Sequence, residues 1–283
     1  MSMSCPAKEQ ANQEQQDINR RMERIRNKLL VFSGKGGVGK STVSANLALS
    51  LAAQGYRVGL LDVDVHGPSI PQLLGVSAAP EDLAHPAGDG TQLRPVAAGP
   101  NLAVMSVGFL LENRDTAVIW RGPMKYKVIK QFLKDVDWGD LDYLVVDSPP
   151  GTGDEPLSVA QLLEGSKGAV IVTTPQELAI SDVRKCVTFC HQLNLPVIGV
   201  VENMSGFVCP SCGEQVEIFK SGGGEKMARE MEIDFLGKIP LDPRLVDAGD
   251  SGIPYMERYS DSEAARSFAA VVEKIIATHP AKG

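Results

Sequence analysis

Residues 34–41 constrain the fold of this chain more than any other segment. They read GKGGVGKS, which fits the pattern G-x-x-x-x-G-K-[ST], and they stand between a short apolar run and a segment of helical character. Glycines let the backbone curl so that successive N–H groups point inward, and the dipole of the following helix adds positive potential at the same place. A strand, this loop and a helix in that order predict a binding site for phosphate groups.

Each residue of this loop has an expected contact with a nucleotide. Lys40 is expected to reach the β- and γ-phosphates, and the Ser41 hydroxyl is expected to contact Mg²⁺. The other nucleotide-binding residues expected in this segment are Gly34, Lys35, Gly36, Gly37, Val38, Gly39 and Thr42. Because the chain contains no [NT]-K-x-D motif for guanine, the base is expected to be adenine, and ATP with Mg²⁺ is the predicted ligand.

Apolar segments alternate with helical segments along the rest of the chain. This order predicts a doubly wound α/β fold in which helices cover both faces of a mostly parallel sheet. The expected strands cover residues 28–32, 58–61, 143–146, 169–173, 197–201 and 235–239. The expected helices include residues 177–192 and the closing helix at 262–277.

The same pattern predicts the domain organisation. We expect a polar N-terminal tail or helix over residues 1–27 and one P-loop ATPase domain over residues 28–283. Two segments interrupt the alternation of strands and helices in this domain. Residues 75–101 are rich in Ala, Pro and Gly and are expected to form a loop with room for a hairpin, and an insert around 203–224 carries a cysteine pair.

Acidic residues follow two of the predicted strands. Because the carboxyl ends of parallel strands meet at one edge of the sheet, these residues are expected to converge on the phosphate loop. Asp62 is expected to hold Mg²⁺ through water, and Asp64 is expected to orient the attacking water. Asp147 is interpreted as the Walker B acid, and the Gly151 N–H is expected to sense the γ-phosphate. With Lys40, these residues predict ATP hydrolysis.

Cys209 and Cys212, in the sequence CPSCG, are the second chemical feature. The motif favours a tight turn that presents two thiolates on one side, and Gly213 permits a positive φ at its end. Zinc, a redox disulfide and an iron–sulfur cluster are all compatible with the motif alone. A thioredoxin-like role is disfavoured because the pair lies in an insert after a strand and not at the start of a predicted helix.

The number of available thiolates limits how one chain could bind a metal or a cluster. A tetrahedral zinc site or a four-iron cluster needs about four protein ligands. Cys186 and Cys190 lie four residues apart on a predicted helix among apolar residues and are expected to pack in the core, while Cys5 stands alone. A two-fold homodimer in which each subunit lends Cys209 and Cys212 would supply the four ligands.

Composition disfavours several other classes of function. Lys and Arg number 28 against 35 for Asp and Glu, and the resulting net charge of −7 argues against nucleic acid as a partner. No apolar run approaches ~18 residues, so no membrane-spanning helix is expected. The N-terminal residues lack an apolar core, and five cysteines is an odd number, so we expect no secretory signal, reduced thiols and a cytoplasmic location.

These motifs together resemble those of the Mrp/ApbC family of P-loop iron–sulfur carriers, which belongs to the deviant Walker A ATPases. The matching segments are GKGGVGKST at 34–42, LDVD at 61–64, HGPSIP at 66–71, DSPPG at 147–151, VENMS at 201–205 and CPSC at 209–212. The resemblance implies a fold like those of MinD and the nitrogenase iron protein, and a homodimer. It also implies a [4Fe–4S] cluster bridging the two cysteine pairs, which passes to apo iron–sulfur proteins as ATP is bound and slowly hydrolysed.

The resemblance also assigns roles to single residues. Lys35 matches the signature lysine that crosses a dimer interface to the partner's nucleotide, much as an arginine finger does. Asn203 and the segment Pro240, Leu241 and Asp242 match positions that hold adenine. The N-terminal four-cysteine motif of the eukaryotic relatives is missing, so a second, stable cluster is not expected.

Two other functions stay open on the sequence. A partitioning or positioning ATPase of the ParA/MinD type would bind a membrane or DNA through basic surfaces, but the closing helix carries Glu263, Arg266, Glu273 and Lys274 and has no basic face. A nickel or zinc insertase would share one ion between the same cysteine pairs.

Overall fold

A computed structural model describes residues 6–87, 90–110, 122–163, 168–209 and 211–281. Its strands are β1 (Ile25–Ser33), β2 (Val58–Asp62), β3 (Ala84–Ala87), β4 (Gly90–Leu93), β5 (Val96–Gly99), β6 (Leu102–Ser106), β7 (Leu141–Asp147), β8 (Gly168–Thr173), β9 (Val197–Glu202), β10 (Phe207–Val208), β11 (Gln215–Val216) and β12 (Phe235–Lys238).

The helices lie between these strands. They are α1 (Pro6–Met22), α2 (Lys40–Ala53), α3 (Ile70–Leu73), α4 (Pro80–Leu83), α5 (Gly122–Asp135), α6 (Asp154–Leu162), α7 (Glu177–Gln192), α8 (Gly223–Glu230), α9 (Pro243–Asp250), α10 (Tyr255–Arg258) and α11 (Glu263–Thr278), with a 3₁₀ helix at Val107–Leu110. None of the described helices is both long enough and apolar enough to cross a membrane.

Eight strands form the central sheet, in the order β12-β9-β8-β1-β7-β2-β6-β5. Every neighbouring pair is parallel except β5 and β6, which are antiparallel. The strands β2, β7 and β8 are buried along their whole length, which explains why they are nearly continuous apolar runs in the sequence. The pairing of β2 with β7 sets Asp62 directly beside Asp147.

A polar tail and a helix were the two alternatives predicted for the N-terminal segment, and its described part forms a helix. Helix α1 buries Ile18 and Met22 in the core and packs against α5. Strand β1 begins at Ile25, three residues before the domain start expected at residue 28, because Ile25 already pairs with Leu141 of β7. Residues 1–5, including Cys5, lie outside the described residues.

The two interrupting segments have structure of their own. Within residues 75–101, β3 and β4 pair as an antiparallel hairpin, and β5 joins the edge of the central sheet. The insert after β9 forms a second hairpin from β10 and β11 and returns to the domain at α8. This second hairpin, residues 207–216, carries the cysteine pair and is called the cysteine hairpin below.

Candidate functional site

The phosphate loop joins β1 to α2, and its glycines are required by the local backbone. Gly37 and Gly39 have φ of +80° and +79°, values that favour glycine. A side chain at Gly39 would overlap the amide of Asn203, and one at Gly34 would overlap the backbone of α7 at Asp182. The loop is therefore confined on two sides by close packing.

Asp147 lies at the centre of the site and is fully buried. Lys40 Nζ lies 2.8 Å from Asp147 Oδ1, and the hydroxyls of Ser41 and Ser44 donate to the two carboxylate oxygens at 2.6 and 2.7 Å. One ammonium and two hydroxyls thus satisfy a charge that would be costly to bury alone. Ser44 was not predicted, since a serine inside an apolar helix carries no distinguishing pattern.

Asp62 is a second buried carboxyl beside Asp147. It accepts hydrogen bonds from the Ser106 hydroxyl at 2.9 Å and from the Asp64 N–H at 3.1 Å. Burial, reinforced by the negative charge of Asp147, raises the pKa of Asp62 to about 8. Asp62 therefore holds a proton near neutral pH when no cation or nucleotide is present.

Replacing Asp62 with asparagine is expected to stabilise the nucleotide-free protein at high pH. An unfolded aspartate ionises near pH ~4, whereas the folded pKa is about 8, so the native state binds the extra proton between these values. The contribution of Asp62 to the free energy of unfolding is greatest below the unfolded pKa, and it is lost as the pH rises towards 8. Asp62→Asn lacks this loss, and its melting temperature should exceed that of the wild type at a pH of about 9 but hardly at about 5.

Thermal melts without nucleotide and Mg²⁺ measure this difference. Each kcal/mol of stabilisation should appear as a shift of roughly 2–4 °C in a domain of this size. The exposed Asp234→Asn variant is the matched control and should follow the wild type at both pH values. Parallel curves for Asp62→Asn and the wild type at every pH would contradict the assignment.

Asp64 lies near the lysine of the phosphate loop, whereas Gly151 is hydrogen-bonded to the end of β1. Asp64 Oδ2 lies 3.7 Å from Lys40 Nζ, and its role in orienting the attacking water stays a prediction. The Gly151 N–H, expected to be a sensor, instead donates to the Ser33 carbonyl oxygen at 2.8 Å. This bond would have to break before the Gly151 N–H could contact a phosphate.

A polar cluster that the sequence did not reveal joins the two loops that follow β2 and β7. Lys125 Nζ of α5 lies 2.7 Å from His66 Nε2 and 2.5 Å from Glu155 Oε1. His66 lies two residues after Asp64, and Glu155 is the second residue of α6, the helix that follows Gly151. The two loops are thereby held together, although their residues are far apart in sequence.

A cavity of about 300 Å³ lies beside the phosphate loop, where the base is expected. Its lining includes Gly39, Thr42, Asn203, Met204, Pro240, Leu241 and Asp242. Asn203 Nδ2 donates to the Val38 carbonyl oxygen at 2.9 Å. The volume lies at the lower end of small-molecule sites, and the mixed apolar and amide lining suits a flat base.

The carboxylate of Asp242 has a structural task at this cavity. It caps α9 by accepting from the Arg244 N–H at 2.9 Å, and it accepts from the Tyr255 hydroxyl at 2.6 Å. Burial of Asp242 is outweighed by these bonds and by the Arg244 guanidinium, so its pKa is lowered. Contacts from Asp242 to a base are therefore expected from its backbone.

The cysteine hairpin has the tight turn that the motif predicted. The Gly213 N–H donates to the Cys209 carbonyl oxygen at 2.9 Å, and Gly213 has a φ of +75°. Hydrogen bonds to Cys209 from the backbone of Cys212 and Ser211 lower the pKa of the Cys209 thiol. Cys209 is half-buried and Cys212 is exposed, so both sulfurs are accessible to a metal.

The described part of the chain holds no group of three His, Cys, Asp or Glu side chains that could bind a metal ion. Cys186 and Cys190 are fully buried on α7, as expected for core residues. A hydrogen bond with Cys190, together with burial, raises the pKa of the Cys186 thiol. These two thiols therefore pack in the core and do not join the exposed pair.

Comparison with known proteins gives a family match over most of the chain. A family model described as ParA, NUBPL iron-transfer P-loop NTPase, matches residues 24–276. The iron–sulfur cluster carrier protein of Methanocaldococcus jannaschii is 47% identical over 274 residues, which cover 96% of this chain and 92% of that protein.

Solved structures share the architecture. A nucleotide-binding protein from Archaeoglobus fulgidus, solved in complex with ADP and with cobalt found in it, matches with a TM-score of 0.73 at 43% identity, covering 84% of this chain and 91% of that one. The cell division ATPase MinD of Pyrococcus furiosus matches with a TM-score of 0.62 at 25% identity, covering 89% of this chain and 99% of that one. The fold class predicted from the sequence is confirmed.

Proposed function

The chain belongs to the family of NUBPL iron-transfer P-loop NTPases, and from this premise we propose that it is an ATP-dependent iron–sulfur cluster carrier. The cluster, a [4Fe–4S] cargo, is held between two subunits and delivered to apo iron–sulfur proteins. The proposed location is the cytoplasm, where thiols stay reduced. One observation carries this proposal: a chain with a complete phosphate loop presents two accessible thiols, and its described residues offer no third ligand beside them.

The shortage of ligands supports a homodimer. A four-iron cluster needs about four thiolates, so two cysteine hairpins must face each other. Three apolar side chains next to the pair are exposed: Val216, Ile218 and Phe219 are 43%, 51% and 36% accessible. Exposed apolar residues so close to the cysteine pair along the chain are typical of an interface, and a second copy of the chain would bury them around the cargo.

The residues at the phosphate loop suit ATP and Mg²⁺. The Ser41 hydroxyl and the Asp147 carboxylate lie 2.6 Å apart and are hard oxygen donors of the kind that Mg²⁺ prefers, with Asp62 next to them. Bound Mg²⁺ would neutralise charge on the phosphates. Lys40 exchanges Asp147 for the β- and γ-phosphates when ATP enters, and Asp64 orients the attacking water.

The loops after β2 and β7 would couple ATP to the dimer. Contact with the γ-phosphate draws both loops inward, and the bond from the Gly151 N–H to Ser33 is exchanged for one to the phosphate. The cluster of Lys125, His66 and Glu155 makes the two loops move together. Hydrolysis releases them, and the resulting shift of the subunits opens or shields the shared cargo.

Lys35→Ala is expected to lower ATP turnover roughly tenfold or more while nucleotide binding stays largely intact. A lysine at the front of the loop cannot easily fold back onto its own phosphates, so we propose that it acts on the nucleotide of the partner. Phosphate release and ADP binding measure the two quantities separately. Lys35→Arg keeps the positive charge and should retain most of the turnover, whereas normal turnover in Lys35→Ala would remove the cross-subunit role.

Anaerobic reconstitution tests the proposed function. The purified protein is incubated with iron and sulfide, and its metal content, sulfide content and absorption spectrum are measured. We expect about four irons per dimer and the colour of iron–sulfur charge transfer. A colourless protein that holds one zinc or nickel ion per dimer would favour the insertase function instead.

A further inference from the structure

One buried carboxylate holds both ends of the insert that carries the cysteine pair. Glu202 ends β9 and is fully buried. Its Oε1 accepts from the Ser205 hydroxyl at 2.5 Å, at the start of the insert, and from the Gly222 N–H at 2.8 Å, at its end. Its Oε2 accepts from the Gly224 N–H at 2.5 Å. These four residues are called the Glu202 clamp.

The clamp explains the three consecutive glycines at residues 222–224. Gly222 has a φ of +84°, and a side chain at Gly224 would come within 3.1 Å of Glu202 Oε2. Glycines here let two backbone N–H groups approach the carboxylate at the start of α8, whose dipole also favours a negative charge. These hydrogen bonds, all from neutral donors, compensate the burial of the Glu202 carboxylate.

The residue after Glu202 belongs to the nucleotide site. Asn203 donates to the Val38 carbonyl oxygen of the phosphate loop at 2.9 Å and lines the cavity for the base. Further along, the Ser205 N–H donates to Ile239 and the Leu241 N–H donates to Gly206. Segment 202–207 therefore runs without a break from the phosphate loop to the base of the cysteine hairpin.

The opposite wall of the base cavity reaches the hairpin as well. Leu241 lines the cavity and also pairs with Phe207, the first residue of β10. A ligand between Asn203 and Leu241 thus contacts two segments that both lead to the cysteine pair. No large motion is needed, because these contacts already form a continuous path from the cavity to the hairpin.

We propose that Glu202 is a positioning residue that fixes the cysteine hairpin and transmits nucleotide occupancy to it within one subunit. The inference rests on the proposed function for the nature of the cargo. A base that shifts Asn203 also shifts Glu202, and because Glu202 holds both ends of the insert, the hairpin moves as a unit. This route senses the base side of the nucleotide and responds to ADP as well as to ATP. The loops after Asp62 and Asp147 respond to the γ-phosphate.

Amide hydrogen exchange of the full chain, free of metal, tests the route directly. In the wild type, ADP should slow exchange over residues 205–216. Glu202→Gln turns an amide group towards N–H donors and loses at least one bond, so exchange there should rise roughly tenfold or more and no longer respond to ADP. Glu225→Gln replaces a partly exposed carboxylate of α8 that lies outside the clamp and pairs with Lys238, so it is the matched control and should behave as the wild type.

A second variant tests the same route in case Glu202→Gln folds poorly. Ser205→Ala removes one donor of the clamp and should accelerate exchange over the same residues to a smaller extent. In reconstituted protein, ADP should change the rate at which a chelator removes iron from the wild type and leave the rate for Glu202→Gln unchanged. A structural role alone would alter the rate but would keep its response to ADP.

The outcomes separate this inference from the proposed function. Two results would overturn the inference even if the protein binds a cluster normally. One is that ADP does not change amide exchange over residues 205–216 in the wild type, and the other is that Glu202→Gln keeps the wild-type response to ADP. Conversely, a wild type that takes up no iron while its hairpin responds to ADP through Glu202 would refute the carrier function and leave the route intact.

Discussion

Replacing Lys40 with alanine is expected to abolish ATP turnover, a loss of more than roughly 10²-fold. The Lys40 ammonium lies 2.8 Å from Asp147 and 3.7 Å from Asp64. In the proposed reaction it stabilises the charge that develops on the terminal phosphates. Without it the site presents three neighbouring carboxyls, Asp62 among them, to a polyanionic substrate.

Phosphate release at saturating ATP measures the effect of Lys40→Ala, and circular dichroism establishes that the variant is folded. A change in stability is expected too, because the buried Asp147 keeps only its two hydroxyl donors. Lys226→Ala removes the same charge from the surface of α8, where the side chain is 77% exposed, and should turn over ATP as the wild type does. Wild-type turnover in folded Lys40→Ala would exclude the phosphate loop as the site of hydrolysis.

The features that the sequence predicted well are local ones. The phosphate loop, the aspartates at strand ends and the turn of the cysteine hairpin each depend on residues within a few positions of one another. The strands β2, β7 and β8 could be predicted because burial on both faces demands a continuous apolar run. Local structure and the fold class therefore follow from the order of residues.

The features that were missed depend on contacts distant in sequence. Ser106 satisfies Asp62 across two neighbouring strands, and β6, which carries it, was not predicted. Lys125 meets Glu155 and His66 only because α5 packs against α6. A serine or lysine at such a position looks like any other in the sequence, and its partner is fixed by the order of strands and the packing of helices.

Cys209→Ala and Cys212→Ala are each expected to reduce the iron content of the reconstituted protein from about four irons per dimer to almost none. Each substitution removes two of the four thiolates in a symmetric dimer, one from each subunit. Hydrogen bonds to Cys209 from the Cys212 and Ser211 backbone lower the pKa of its thiol, which favours the thiolate that binds iron. The readouts are iron and sulfide per protein and the visible absorption of the cluster.

The other cysteines provide matched controls for this loss. Cys5→Ala and Cys190→Ala also remove one thiol per subunit, and both should retain the cluster, since Cys190 is buried in the core. Full iron retention in both Cys209→Ala and Cys212→Ala would refute the carrier assignment.

Mixed dimers extend the test to the partner subunit. A dimer of one wild-type chain and one chain lacking both Cys209 and Cys212 has only two thiolates at the interface. It should hold no four-iron cluster, although its wild-type half is intact. If instead the loaded wild-type protein were strictly monomeric in solution with its metal centre fully occupied, the ligands would have to come from one chain. Because the described residues offer only the one accessible pair, that result would exclude a cluster shared across two subunits.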